Sequence, residues 1–326
     1  MGKKNVFVAM GGYGTERDIS IKSGGTVCRS LSSEKYNVYP VHILSEGWFM
    51  VGETDKKHPV NKGDFSVALH QKTIRPDVIY NTVHGTPGED GLMQAYWELL
   101  GIPHTSPGFY ASAISFNKRD CLSVLQRYGL RCANAVYLNK GNNIDENEII
   151  KITGLPCFVK PNRAGSSFGV SKVSTVAALL PAIQVAFKED TEIMIETALV
   201  GTEVSVGAYK IGGTVHVLPP TEIVPENDFF DYGAKYLGKS EEITPARLPD
   251  RTVEKVKAEA HKIYTLLNMK GVTRSDFIVQ EGEPFFIETN TTPGLSQESI
   301  VPKQVRAAGM TLTAFFEMLI ETALKG

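Results

Sequence analysis

Apolar and polar positions follow two rhythms along the chain, and the changes of rhythm mark its elements. Asn5–Met10 is an apolar run ending in Gly11-Gly12. Asp18–Glu34 has helical spacing in spite of Gly24-Gly25, Tyr36–Leu44 and Asp77–Val83 read as strands, and Asp90–Leu100 reads as a helix closed by Gly101. Strands and helices in alternation predict an open parallel sheet with helices on its faces. Pro103, Pro107 and Gly108 then punctuate the chain, which places a boundary between Pro107 and Asn117.

A second unit opens with a helix, Lys118–Tyr128. Cys157–Lys160 and Val170–Val173 read as strands joined by a loop rich in Gly and Ser, Thr175–Phe187 as a helix that Pro181 disturbs, and Glu192–Glu196 as a strand. The third unit begins with the strand Glu203–Ile211. Residues 225–249 are polar, aromatic and too long for an ordinary connection, as a lid would be. Val253, Val256, Ala260, Ile263 and Leu267 share one helical face. Val272–Gln280 and Pro284–Asn290 form a hairpin through Glu281-Gly282-Glu283, and Leu312–Leu324 is a last helix. The expected units are 1–116, 117–199 and 200–326.

Composition narrows the class. A chain of 326 residues with 42% hydrophobic and 21% charged residues suits two or three packed subdomains. A net charge of −2 leaves no basic surplus for nucleic acid or anionic membranes. No apolar run reaches the roughly 18 residues of a membrane span, and Met1–Val8 lacks the apolar core of a signal peptide, so the expected setting is the cytoplasm. Cys28, Cys121, Cys132 and Cys157 are scattered without zinc spacing, as reduced thiols would be.

Two motifs mislead. Gly12-Tyr13-Gly14 suggests a dinucleotide turn, but Arg17 stands where its last glycine belongs, which disfavours a nicotinamide oxidoreductase. The turn still delivers Thr15, Glu16 and Arg17 to the ligand-binding edge of the sheet. Gly233 to Ser240 matches a P-loop letter for letter, yet no buried strand precedes it and two prolines follow, so no helix opens there.

The chemistry concentrates in the C-terminal hairpin. Arg274, Asp276 and Ile278 share one side of its first strand, and Phe286, Glu288 and Asn290 share a side of the second. Asp276 opposite Glu288 and Asn290 gives two carboxylates and an amide, a hard-oxygen set for Mg²⁺ holding phosphates, with Arg274 beside it for phosphate oxygens. A solvated strand face is the plainer alternative, and the apolar flanks Phe277 and Ile287 speak against it. Lys160 closes a strand ahead of a loop whose glycines, Ser166 and Ser167 offer N–H groups and hydroxyls to phosphate. With Lys118, Lys235 and Arg274 it makes four cations from separate segments, as γ-phosphoryl transfer needs. Glu196, Thr197, Ala198 and Leu199 end a strand and can face a base, with Glu203 reaching ribose hydroxyls. His84, directly after a strand and near Glu16, is a ligand-site candidate; Glu89 and Asp90 suit the helix N-terminus that follows.

In this order, GGYGTERDIS (11–20), HGTPGEDG (84–91), KPNRAGSSFG (160–169), DYGAKY (231–236) and ETNTTPG (288–294) resemble the D-alanine–D-alanine ligase family of the ATP-grasp superfamily, over nearly the whole chain. The resemblance implies an N-terminal open parallel α/β domain followed by a two-lobed α+β ATP-grasp domain. It implies ATP between the lobes, with Lys118 and Lys160 on its α- and β-phosphates, Glu196 to Leu199 at adenine and Glu203 at ribose. Asp276, Glu288 and Asn290 would bind two Mg²⁺, with Mn²⁺ as a substitute. Glu16 would hold the ammonium of the first D-alanine and Ser299 the carboxylate of the second. Arg274 and the Gly294 N–H would stabilise a tetrahedral intermediate, Lys235 would contact the transferred phosphate, and Ser166, Tyr236 and Glu16 would form a linked trio under the lid. A homodimer is implied as well. Ala164 and Gly233 depart from the glutamates usual in relatives. D-lactate or D-serine as second substrate are the alternative specificities, and a non-catalytic nucleotide-binding module is the alternative of another class.

Overall fold

The computed structural model describes residues 2–52, 55–163, 165, 168–225 and 240–326. Strand β1 (Lys4–Gly11) lies between β2 (Tyr36–Leu44) and β7 (Val78–Asn81), parallel to both. Val6, Phe7, Val8 and Ala9 are fully buried, as a strand covered on both faces requires. Helix α1 (Arg17–Ser30) lies so close to β1 that a Cβ on Gly24 would stand 2.6 Å from Met10 Cε.

The parallel region is only part of this sheet. β3 (Gly47–Val51), β4 (Lys57–Asn61), β5 (Ser66–Leu69) and β6 (Lys72–Ile74) extend it antiparallel, in the order β6-β5-β4-β3-β2-β1-β7, so the sheet is mixed rather than purely parallel. The extension rests on Phe65, which is fully buried and meets Phe7, Trp48, Tyr96 and Trp97 with ring centroids 5.9–6.1 Å apart. That aromatic cluster, rather than strand alternation, holds these short segments in place.

α2 (Leu92–Leu99), α3 (Phe109–Phe116) and α4 (Lys118–Arg127) lead out of the sheet, α4 starting where Asn117 accepts the Asp120 N–H at 3.0 Å. β8 (Ala135–Asn139), α5 (Glu146–Thr153), β9 (Cys157–Pro161), β10 (Ser171–Val173), α6 (Leu179–Glu189) and β11 (Glu192–Thr197) follow, with the strands in the antiparallel order β10-β9-β11-β8. Pro181 falls in the first turn of α6, where a missing N–H costs nothing, so the helix survives it.

The third sheet holds β12 (Thr202–Ile211), β13 (Thr214–Val217), β14 (Thr221–Pro225), β15 (Ser240–Ile243), β16 (Val272–Gln280) and β17 (Glu283–Asn290). Its order is β15-β14-β12-β16-β17, with β13 on β12. Helix α7 (Asp250–Leu266) buries Val256, Ala260 and Ile263 against Val204, Val206, Phe277 and Phe286. α8 (Ile300–Ala307) and α9 (Leu312–Lys325) then return to the first sheet, where Phe315, Phe316, Leu319 and Ile320 pack with Val6, Val8 and Tyr80 in one core.

The segment expected as a long lid is a hairpin at its base. β14 and β15 pair from Glu222↔Ile243 to Pro225↔Ser240, and Arg247 forks onto Glu222 at 2.9 Å through each of two nitrogens. Ser240 thus opens a strand and not a helix, which rules out a P-loop there. Among the described residues no single helix is long and apolar enough to cross a membrane.

Candidate active site

Pairing of β16 with β17 sets Asp276 opposite Glu288 and Arg274 opposite Asn290, with a register shift between Asp276 and Phe277. The shift leaves Ile287 unpaired and turns Phe286 to the core face beside Phe277, not to the side of Glu288 as strict alternation predicts. Asp276 is buried and densely held. Arg274 donates to both of its oxygens, at 2.9 and 2.8 Å, Ser205 of β12 donates at 2.5 Å and the Asn290 amide at 3.1 Å. Glu288 pairs with Lys118 of α4 at 3.2 Å. Two carboxylates and an amide in one place suit a hard cation such as Mg²⁺, and half a turn of the Asn290 amide presents its oxygen to the same space. The donor set fits.

From the first sheet come Glu16, His84 and Glu89. Gly12 has φ +118°, and a Cβ there would meet the His84 carbonyl oxygen at 2.5 Å, so the turn after β1 needs glycine for close approach to the β7 loop. That approach brings Glu16 to His84. His84 Nδ1 lies 2.8 Å from Thr82 O, which can only accept, so Nδ1 carries the hydrogen. Nε2 is buried without a hydrogen-bond partner among the described residues. Burial holds the imidazole below the usual histidine range, and the ring is neutral. Glu89 accepts from Gly85 N at 2.7 Å and Thr292 N at 3.3 Å; burial, then the charge of Glu16, pushes its carboxyl up to about 8.

These side chains open onto one cleft of about 510 Å³. Glu16, His84, Glu89, Lys118, Arg274, Glu288, Asn290, Gly294 and Ser299 line it, together with Gly165, whose Cβ would touch Glu16 Oε2 at 2.6 Å. Ser299 Oγ lies 2.7 Å from Ser296 Oγ just ahead of α8. The residues expected at a nucleotide base are not in this lining. Lys160 is buried against Glu196 at 2.6 Å, a partner that its phosphate role did not anticipate. The N–H groups of Thr197 and Ala198 are held by Asn134 O and Pro156 O, which leaves the carbonyl oxygens of this segment and the Leu199 N–H to face a base. Leu199 continues that segment, and Glu203 lies on β12 opposite Ile278. Ser166, Ser167, Lys235 and Tyr236 lie outside the described residues. Reading the sequence missed the site position of Glu89 and the contact of Gly165 with Glu16; the only signal was the glycine pattern around each.

Comparison with known proteins covers both halves of the chain. Residues 5–107 match the family model described as the D-ala D-ala ligase N-terminus, and residues 124–321 match the D-ala D-ala ligase C-terminus. The D-alanine–D-alanine ligase of Flavobacterium johnsoniae is 53% identical over 98% of this chain and 99% of its own. The D-alanyl-alanine synthetase A structure from Vibrio cholerae superposes with a TM-score of 0.90 at 27% identity, covering both chains completely. The Bacillus anthracis D-alanine–D-alanine ligase complexed with ATP gives a TM-score of 0.79 at 27% identity, over 99% of this chain and 98% of that one.

Proposed function

The chain belongs to the D-alanine–D-alanine ligase family, and from that premise we propose that it joins two D-alanines through a D-alanyl phosphate, forming ADP, for peptidoglycan precursor synthesis. Glu16 pairs with the ammonium of the first D-alanine, with neutral His84 beside it. The carboxylate of that D-alanine attacks the γ-phosphorus of ATP, ADP leaves, and the acyl phosphate remains. The second D-alanine, held through its carboxylate at Ser299, loses a proton and its amine attacks the acyl carbon. Arg274 and the Gly294 N–H face the oxygen that becomes negative, and phosphate departs.

Lys118 and Lys160 hold the α- and β-phosphates, Glu196 to Leu199 the adenine and Glu203 the ribose. For Lys160 this means exchanging its bond to Glu196 for one to phosphate. Asp276, Glu288 and Asn290 would hold Mg²⁺, which supplies neutralisation of phosphate charge. Roles for Ser166, Ser167, Lys235 and Tyr236, and the division at 116/117 and 199/200, follow the family resemblance. The exposed apolar residues Leu99, Phe109 and Tyr110 on α2 and α3 support homodimeric assembly, and a cytoplasmic setting suits the ATP-dependent reaction.

One observation carries the reading: a single cleft joins Glu16 from the first sheet to Arg274, Glu288 and Asn290 from the third. The test is D-alanine-dependent phosphate release from ATP and Mg²⁺, with product analysis when D-alanine, D-serine, D-lactate and L-alanine are offered separately. D-alanyl-D-alanine is the expected product. Preference for D-lactate or D-serine as second substrate would overturn the specificity, and turnover with L-amino acids only would overturn the reaction proposed.

A further inference from the structure

Glu89 has no role in the reaction as described, yet it lines the cleft that Glu16 lines. Both carboxylates converge on Gly85: Glu89 Oε2 accepts its N–H at 2.7 Å, and Glu16 Oε2 stands 3.7 Å from the point where a Cβ on Gly85 would lie. Two anions brought to one glycine repel one another, and a proton on Glu89 relieves the repulsion until a cation takes its place. The titratable and charged groups facing Glu89 are Glu16 from the loop before α1, His84 from its own loop and Arg274 from β16. Of these, His84 is neutral and Arg274 is already forked onto Asp276. Glu89 also reaches Thr292 N, in the loop that carries Gly294, so it touches both banks of the cleft.

Resting on the reading that Glu16 holds the ammonium of the first amino acid, we propose that Glu89 is a second anionic wall of that site, and that an incoming primary ammonium displaces one proton from the Glu16–Glu89 pair. The exchange balances: one ammonium enters, one proton leaves to solvent, and no bond in the substrate breaks. Such a site selects an amine over a hydroxyl on the first substrate, because a cation offsets the repulsion between the two carboxylates and a neutral hydroxyl does not.

Isothermal titration of D-alanine into the full chain saturated with ADP and Mg²⁺, in buffers of differing ionisation enthalpy, counts the protons. With the Glu89 carboxyl pushed up to about 8, release should approach about one proton per chain at about pH 7 and fall towards none at about pH 9. Glu89→Gln should release none at either pH. Equal release from wild type and Glu89→Gln overturns the proposal, and so does wild-type binding without release. Glu16→Gln separates the two readings. Unchanged D-alanine binding in that variant overturns the ammonium site itself, whereas weakened binding there with unchanged release in Glu89→Gln removes Glu89 alone. Should Glu89→Gln fail to fold, the wild type decides: release at both pH values, or at neither, counts against Glu89.

Discussion

Asp276 receives donors from Arg274, Ser205 and Asn290, more than a strand side chain needs to be satisfied. Its charge holds the Arg274 fork in place, and in the proposed reaction it also faces the metal. Asp276→Asn keeps the shape and removes that charge. We expect turnover to fall on the order of 10³-fold while the circular dichroism spectrum is preserved, and near-normal turnover at saturating Mg²⁺ would refute the assignment. Lys160 and Glu196 call for a different measurement. Their side chains are 8% and 10% exposed, so removing one partner strands a buried charge, at a cost of about 3–5 kcal/mol. Glu196→Ala should therefore destabilise strongly, and Lys160→Met added to it should restore much of the loss. A double-mutant cycle of urea unfolding reads the coupling, and additive effects would show that the pair contributes nothing.

At the scale of the element, α1 explains why two adjacent glycines have opposite meanings. Gly24 faces β1, and a Cβ there meets Met10 Cβ and Sδ at 2.8 and 2.9 Å; at Gly25 the nearest atom is the mobile end of Arg29, at 3.2 Å. Gly24→Ala should cost about 1–3 kcal/mol by overpacking. Gly25→Ala should gain up to about 1 kcal/mol by helix propensity. Denaturant midpoints with unchanged slopes would check both, and equal effects would contradict the packing of α1 on β1. Other elements differ in how plainly their residues announce them. The β16–β17 hairpin was legible because two alternating runs flank a tight turn, and Asp276 opposite Glu288 followed. The extra residue Ile287 was not, because a bulge changes facing without changing composition. β3 to β6 were hidden for another reason: they are short, and their anchor, Phe65, has φ +55° and lies in a turn. Among site residues, Glu16, Arg274 and Asn290 stand in recognisable local patterns. Glu89 acquires its place by accepting from Gly85 nearby and from Thr292, 203 residues further along.

Across the whole molecule, the first and third sheets share one core. Phe316 of α9 meets Tyr80 of β7 edge to face, with centroids 5.7 Å apart, and both are buried. Phe316→Ala should cost about 3–5 kcal/mol. The chain's two tryptophans, Trp48 and Trp97, both lie in or beside the first sheet, so fluorescence reports that sheet while far-ultraviolet dichroism reports all three. A substitution in α9 should lower both unfolding midpoints together. Separation of the two curves would mean that the shared core does not couple the sheets.

That shared core carries a cost in time. A ribosome releases β1 long before α9, so the apolar face of the nascent first sheet waits for a cover encoded some three hundred residues downstream (Val6 to Phe315 and Phe316). Until then that face stays open to solvent, and exposed apolar surface of this kind favours aggregation of a nascent chain.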